Sequence, residues 1–299
     1  MNATLTSGPD AGGPPEFTGF PPEFFSFLRE LERNNESEWF AANRERFEAV
    51  VRGPALAFVR AVAPGLARRC PPLLASDSKA RGSMLRMNRD TRFSASKIPY
   101  HTSVVLRFPH RGADARTAPC ATLRLTSRMV LISAGVRPGG AHTLGLLRAA
   151  IDADRGSWAA VRDDRALRAA FGDLAPPELV RVPRGWPPEH PFADDLRRKA
   201  FNVVSELPIS ATHEAAFVRQ AVAAWASAAP LLRFVCSALG LDWDVASAAD
   251  PRGAGNTGGS ETASHTNAAR PAAEATDASE PSGGRANGVV AEPPDVRSA

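Results

Sequence analysis

The chain lacks the residues that mark several common classes of protein. Its 299 residues include three cysteines, at positions 70, 120 and 236, and one tyrosine, Tyr100. Three cysteines without metal-ligand spacing exclude a disulfide scaffold and a cysteine-rich zinc site. The longest apolar run, 221–232, falls short of the about 20 residues that a membrane-spanning helix requires. Residues 1–16 have neither a basic start nor an apolar run, so no secretory signal is expected. These absences predict a soluble, cytoplasmic protein with no membrane partner.

Both ends of the chain are poor in large apolar side chains. Residues 246–299 contain no Leu, Ile, Met, Phe, Tyr or Trp, and residues 1–15 are rich in Gly and Pro. Such segments cannot bury enough apolar surface to offset the entropy of ordering. We therefore predict disorder over 1–15 and 246–299 and a single folded domain over 16–245.

The predicted domain is more basic than the whole chain. The full sequence has a net charge of +4, whereas residues 16–245 hold 32 basic and 24 acidic side chains, a net charge of +8. This excess favours an anionic partner. Nucleic acid is one candidate, but no nucleic-acid-binding motif supports it.

Helical spacing opens the predicted domain. Apolar residues recur at helical intervals over 22–33, 38–51 and 55–69, which predicts three helices. Ser37 is the expected N-cap of the second helix. Gly53 and the proline after it are expected to break the chain before the third.

The pattern changes in the middle of the chain and then returns to helical spacing. Strands are predicted over 84–88, 104–108, 121–126, 129–135 and 201–205. Helical spacing predicts helices over 143–151 and 157–171 and one or two helices over 213–239, with a possible break at Pro230; residues 196–201 are expected to be helical or the end of a helix. N-terminal helices, a central mainly antiparallel sheet and C-terminal helices define an α+β fold.

One basic segment, residues 79–101, is rich in side chains that could bind a ligand. It holds six cations and one acid, Asp90. The cations are Lys79, Arg81, Arg86, Arg89, Arg92 and Lys97. Arginine's planar fork suits phosphate and carboxylate groups, and Tyr100 adds a hydroxyl. The segment therefore predicts a site for an anionic ligand. A structural ion-pair network with acids of the N-terminal helices is the alternative.

Three blocks of sequence together resemble a known family. They are Asn34–Phe47; Arg89-Asp90-Thr91-Arg92-Phe93-Ser94 with Lys97-Ile98-Pro99-Tyr100; and Arg181–Gly185 with His190-Pro191 and Arg197–Phe201. In these blocks, found in the same order, the chain resembles the bacterial and fungal domain-of-unknown-function family 2461.

The resemblance implies a single α+β domain in a bacterial cytosol and supplies no reaction. Similar proteins usually carry a tyrosine on the strand that here reads Ala121-Thr-Leu-Arg-Leu125. They also carry a more regular glycine-rich turn where Arg137–Gly140 stands. An activity shared by the family could therefore be altered in this chain.

The three blocks suggest one cleft. Trp39 and Asn43 lie four residues apart and share a helix face, and His190 and Lys199 come from the C-terminal part. We expect these four residues to converge with the basic segment. Each has a structural alternative: a core anchor for Trp39, an interhelical or loop hydrogen bond for Asn43, a helix cap for His190 and a solvated surface position for Lys199.

No motif identifies a cofactor or a metal. Gly253-Ala-Gly255-Asn-Thr-Gly258 matches a dinucleotide fingerprint in letters only, since no strand precedes it. The six histidines are scattered, which argues against a tight zinc site. We expect neither cofactor nor metal.

The sequence thus favours a cytoplasmic protein that binds a phosphate- or carboxylate-bearing ligand through its Arg/Lys-rich loop. Arg86, Arg89, Arg92 and Lys97 are the expected binding groups, with Asp90 and Tyr100 beside them. Two alternatives stay open: a metal-independent enzyme acting on such a ligand, and a basic surface that binds protein or nucleic acid. The sequence does not specify the oligomeric state.

Overall fold

The fold was obtained as a computed structural model that describes residues 16–79, 81–92 and 94–244. The terminal segments for which disorder was predicted lie outside these residues, and so does the Gly253–Gly258 motif. Val245, the predicted end of the domain, also lies outside them.

The N-terminal helices follow one another with almost no linkers. They are α1 (Pro22–Arg33), α2 (Ser37–Ala42), α3 (Arg44–Phe47), a π-helical turn (Glu48–Arg52) and α4 (Gly53–Arg69). The expected break at Gly53 is wrong, because the chain continues through the π turn. Pro54 has no N–H to donate to the carbonyl four residues back, and Gly53 N–H instead donates to Glu48 O, five residues back.

A four-stranded antiparallel sheet forms the middle of the fold. Its strands are β1 (Val104–Pro109), β2 (Cys120–Leu125), β3 (Met129–Val136) and β4 (Phe201–Pro208), and they lie side by side in chain order. Burial alternates along β1 and β2, so one face of the sheet packs on the core and the other is partly exposed.

The remaining helices lie between β3 and β4 and after β4. They are α5 (Ala141–Ala153), α6 (Arg155–Arg162), α7 (Arg165–Phe171), α8 (Ala193–Leu196), α9 (Phe217–Ser227) and α10 (Ala229–Ala238). The helix predicted over 157–171 is two helices, because Asp164 caps α7 through a hydrogen bond to Leu167 N–H. Helices around an antiparallel sheet confirm the predicted α+β class.

The core joins α1, α4 and α9 to the buried face of the sheet. Phe58 of α4 stacks on Phe217, with ring centroids 5.5 Å apart, and Trp225 of α9 meets Phe108 of β1 at 4.9 Å. The arm before α1 closes one end, where Phe20 N–H donates to Thr212 O. Gly19 has φ +131°, and a Cβ there would lie 2.1 Å from His213 O, so only glycine fits.

Two further local predictions are wrong. Ser37 is the first residue of α2 and Glu36 is its N-cap, with no side-chain capping bond. Residues 84–88 do not form a strand: Met84 and Asn88 make single bridges to Leu106 and Tyr100. The segment leaves the edge of β1 after Leu85 to turn towards the N-terminal helices.

One helical run passes a length-and-composition test for a membrane span. It is Arg44–Arg69, and the bent pair α9 and α10 passes only if counted as one span. Val51, Phe58, Val62 and Leu66 of this run are fully buried in the core. Since a core helix passes the same test, this is weak evidence for a membrane span.

Candidate functional site

The basic segment is fastened to the N-terminal helices at Tyr100. Asn35, between α1 and α2, makes two hydrogen bonds to the backbone of Tyr100: its Nδ2 donates to the carbonyl at 3.0 Å, and its Oδ1 accepts the N–H at 3.0 Å. The Tyr100 ring stacks on Phe40 with centroids 4.2 Å apart and is 9% exposed. Tyr100 therefore anchors the segment by its backbone and by its ring.

The two arms of the segment also pair with each other. Asn88 and Tyr100 form an antiparallel bridge. Arg89 N–H donates to Pro99 O at 2.8 Å, and His101 N–H donates to Met87 O at 2.7 Å. These bonds hold the turn between the arms at the surface.

Charged side chains of the turn form hydrogen bonds within the turn itself. Arg92 makes a two-pronged contact with Asp90, with nitrogen–oxygen distances of 2.9 and 2.7 Å. These hydrogen bonds lower the pKa of the Asp90 carboxyl to about 2. Lys97 Nζ donates to Thr91 O at 3.0 Å. Asp90, Arg92 and Lys97 are exposed, and part of their bonding capacity serves the turn.

Three other cations of the segment form no ion pair with a described acid. Lys79, Arg81 and Arg86 are exposed, and no carboxylate of the described residues lies within ion-pair distance of them. Arg89 is half-buried and has contacts of its own. The predicted ion-pair network therefore accounts for only part of the segment's positive charge.

A small pocket brings Arg81 beside Arg107 of β1. It has a volume of about 50 Å³, and Ser76, Gly82, Ser83 and Leu85 also line it. That is room for roughly one small oxyanion or a few waters. None of the described residues that line it is acidic.

Arg107 is held in place by backbone carbonyls alone. Its Nη1 donates to Arg116 O at 2.9 Å and its Nη2 to Ala118 O at 3.2 Å. Its Nε is buried and has no partner. A guanidinium keeps its charge at any physiological pH, so Arg107 gives the pocket a fixed positive charge.

A third arginine lies on the same face of the sheet. Thr122 is directly opposite Arg107, and Arg124 is two residues further along β2. Because side chains alternate between faces, Arg124 and Arg107 share the partly exposed face. Neither Arg107 nor Arg124 was predicted from the sequence, where each reads as an ordinary strand residue.

Trp39 and Asn43 have structural contacts. Trp39 is half-buried against Phe27, with ring centroids 5.5 Å apart. Asn43 Nδ2 donates to Trp39 O at 2.9 Å, one turn back along the chain. The Trp39 contact matches its alternative as a core anchor, whereas the Asn43 hydrogen bond is local to the end of α2 and not interhelical.

His190 lies against α5 and Lys199 follows α8. His190 is 4% exposed; its Nδ1 accepts Phe192 N–H at 3.0 Å, so its Nε2 carries the proton that is donated to Asp152 at 3.1 Å. Both ring nitrogens are thus in use just before α8, although the N-cap of α8 is Phe192 and no side chain caps that helix. Lys199 is exposed. Convergence of these residues with the basic segment stays a prediction.

No metal cluster is evident in the described part of the chain. Across residues 16–79, 81–92 and 94–244, no group of three His, Cys, Asp or Glu side chains could hold a metal ion. A larger pocket of about 260 Å³ lies between the arm before α1 and the start of α4. Glu16 is its one charged lining residue, so it does not suit an anion.

The structure thus defines an α+β domain with an anchored basic segment beside an open sheet face. The sequence model of the family described as "Conserved hypothetical protein (DUF2461)" matches residues 23–234. The chain belongs to this family, which confirms the resemblance seen in its sequence. No curated protein and no solved structure gives a match.

Proposed function

We propose that this protein binds a small ligand bearing a phosphate or carboxylate group, through the basic segment and the neighbouring strand β1. The observation that carries the proposal is the pocket shared by Arg81 and Arg107. Two guanidinium groups line it without an acid, and Arg107 keeps one buried N–H unpartnered. A phosphate or carboxylate oxygen there would accept that N–H and balance the charge.

Neighbouring groups would extend the contact. Arg124 lies on the same sheet face, and Arg86 follows Leu85, which lines the pocket. A ligand larger than one oxyanion would reach these side chains. The predicted Arg89 and Lys97 lie further along the same segment and would act in steering the anion towards the pocket.

The enzyme alternative has weaker support. Both ring nitrogens of His190 are hydrogen-bonded, and the Tyr100 ring is packed on Phe40. Proton transfer by His190 would require breaking a bond that holds the start of α8. We also propose the bacterial cytoplasm as the setting, because Cys70, Cys120 and Cys236 are all free thiols, as that compartment favours.

Isothermal titration calorimetry tests the proposed function. Inorganic phosphate and malonate would be titrated into the full chain and into Arg81→Met/Arg107→Met, at constant ionic strength. We expect the double variant to lose a binding event that the wild type shows. Arg165→Met, which removes an exposed arginine from the start of α7, is the control for overall charge and should retain it. Unchanged binding in the double variant would contradict the proposal.

A further inference from the structure

A second group of arginines is buried where α5, α6 and α8 meet. Arg148 of α5 and Arg198, which follows α8, are each 8% exposed. Arg148 Nη2 donates to the backbone carbonyl of Arg198 at 3.1 Å, so the two residues are in direct contact. They lie just beneath the surface, on elements that the basic segment does not touch in any described hydrogen bond or ion pair.

One buried carboxylate among the described residues lies beside these arginines, and both of its oxygens already accept hydrogen bonds. Asp195 is 2% exposed. Its Oδ2 accepts Trp158 Nε1–H at 2.8 Å, and its Oδ1 accepts Arg198 Nε–H at 2.8 Å. Arg162 lies 4.0 Å from the same carboxylate but is bonded to Asp163. Asp195 therefore balances one positive charge where Arg148 and Arg198 supply two.

The next acid along α5 is also engaged elsewhere. Asp152 is one turn beyond Arg148, close enough in principle to pair with it. It instead accepts hydrogen bonds from Arg155 and from His190. Arg148 is left without a carboxylate partner among the described residues, and burial lowers the pKa of its guanidinium.

Two guanidinium N–H groups remain unpartnered inside this cluster. Arg148 Nε and Arg198 Nη1 are buried and have no hydrogen-bond acceptor. Arginine stays protonated in proteins, so neither side chain can lose its charge to avoid the free-energy cost of burying it. A buried, uncompensated cation is among the most unfavourable features of a protein interior.

We propose that Arg148 and Arg198 form a second anion site, distinct from the Arg81–Arg107 pocket, that holds one oxyanion group of a small carboxylate or phosphate ligand. The anion would accept Arg148 Nε–H and Arg198 Nη1–H and supply the missing negative charge; because both nitrogens are buried, the two side chains would move apart to admit it. Arg162 lies at the edge of the cluster with its side chain 38% exposed, and it marks the side from which a ligand would enter.

The test uses the full chain carrying Arg81→Met/Arg107→Met, so that the first pocket does not contribute. Melting temperatures would be measured with inorganic phosphate and with malonate against chloride at equal ionic strength. We expect a rise of about 5–10 °C at an anion concentration about 100 times Kd. Adding Arg148→Met should abolish this rise, and adding Arg165→Met should not. The anion that gives the larger rise distinguishes a phosphate site from a carboxylate site.

The stability of Arg148→Met without anion is the second readout. Met retains most of the apolar stem and removes the uncompensated charge, so this variant should melt no lower than its parent in chloride. Two results would overturn the proposal: no anion-specific rise in the parent, or a rise that persists after Arg148→Met. If Arg148→Met does not fold, Arg148→Lys replaces it. The lysine variant keeps the charge but loses the Nε–H, and it should bind about tenfold more weakly; unchanged affinity would equally overturn the proposal.

Discussion

Tyr100 lies flat on Phe40, with the ring centroids 4.2 Å apart and the ring planes inclined by 19°. The contact joins the basic segment to helix α2. It gives the only tyrosine of the chain a packing role, whereas the sequence suggested a ligand-binding one. The two roles differ in what they demand of the hydroxyl group and can be separated by substitution.

Tyr100→Phe should leave the fold almost unchanged. It keeps the stacked ring, and the hydroxyl makes no described hydrogen bond, so the free energy of unfolding should stay within about 1 kcal/mol of the wild type. Tyr100→Ala should lower it by about 3–4 kcal/mol, because it empties the space against Phe40. Urea denaturation measures both. If Tyr100→Phe instead abolishes phosphate or malonate binding while the protein stays folded, the hydroxyl belongs to the ligand site.

Asn35 should control how firmly the basic segment is held. Its side chain makes two hydrogen bonds to the Tyr100 backbone, and Asn35→Ala leaves both backbone groups unpaired. We expect a loss of about 1–3 kcal/mol in the free energy of unfolding. Amide hydrogen exchange should also quicken at Arg89 and His101, which pair the arms of the segment.

The adjacent residue supplies the control for this change. Asn34→Ala removes one exposed hydrogen bond, to Glu30 O. It should alter stability by less than about 1 kcal/mol and leave exchange in the basic segment unchanged. Equal effects of Asn34→Ala and Asn35→Ala would show that Asn35 has no special part in holding Tyr100.

The spacing of apolar residues in the sequence predicted most helices and strands well, but it predicted the junctions between them poorly. Helix α1 has the predicted bounds, because Pro22 starts it and apolar residues recur on one side. The break at Gly53 was wrong because a missing N–H at Pro54 can be absorbed by a π turn as well as by a chain break. Residues 84–88 alternate like a strand, but only tertiary contacts decide that the segment leaves the sheet edge.

The candidate sites were predictable only in part. The basic segment was evident because six cations share one acid over a short stretch of sequence. Arg107 was not, since only the fold brings it to the same pocket as Arg81. Arg148 and Arg198 lie fifty residues apart, and each has acids nearby in sequence. That those acids bond to other groups is a property of the folded chain alone.

Asp195 should be one of the most sensitive polar positions. Asp195→Asn keeps the size of the side chain but removes the negative charge beside Arg198 and Arg162. We expect the free energy of unfolding to fall by about 3–5 kcal/mol. Asp194→Asn is a matched change on the same helix; its ion pair with Arg197 is exposed, so the loss should be under about 1 kcal/mol. Similar losses for both would show that Asp195 does not balance a buried charge.

The pKa of Asp90 should depend on Arg92. The folded-state pKa is about 2, below the ordinary 3.8, so the pair favours the folded state above about pH 4 and this contribution is lost as the pH falls towards 2. Arg92→Gln should raise the Asp90 pKa part of the way towards 3.8, because the backbone N–H of residue 92 still donates to Asp90 Oδ1 and Arg86 remains; a carboxyl carbon NMR titration would detect the rise. Asp154, whose lowered pKa comes from Ser157 N–H, should not change. An Asp90 pKa that Arg92→Gln leaves unchanged would assign the whole effect to the backbone N–H of residue 92 and to Arg86.

The three thiols should differ in reactivity in the native protein. Cys70 and Cys236 are fully buried, and burial raises the pKa of their thiols to about 11 and about 12. At pH 8 neither forms a reactive thiolate, whereas Cys120 on β2 is partly exposed. Mass spectrometry after brief treatment with iodoacetamide should show one label, on Cys120, in native protein and three in urea. Labelling of Cys70 or Cys236 under native conditions would mean that the α4–α9 core opens, since Cys70 lies at its edge with its thiol directed at Trp225 O.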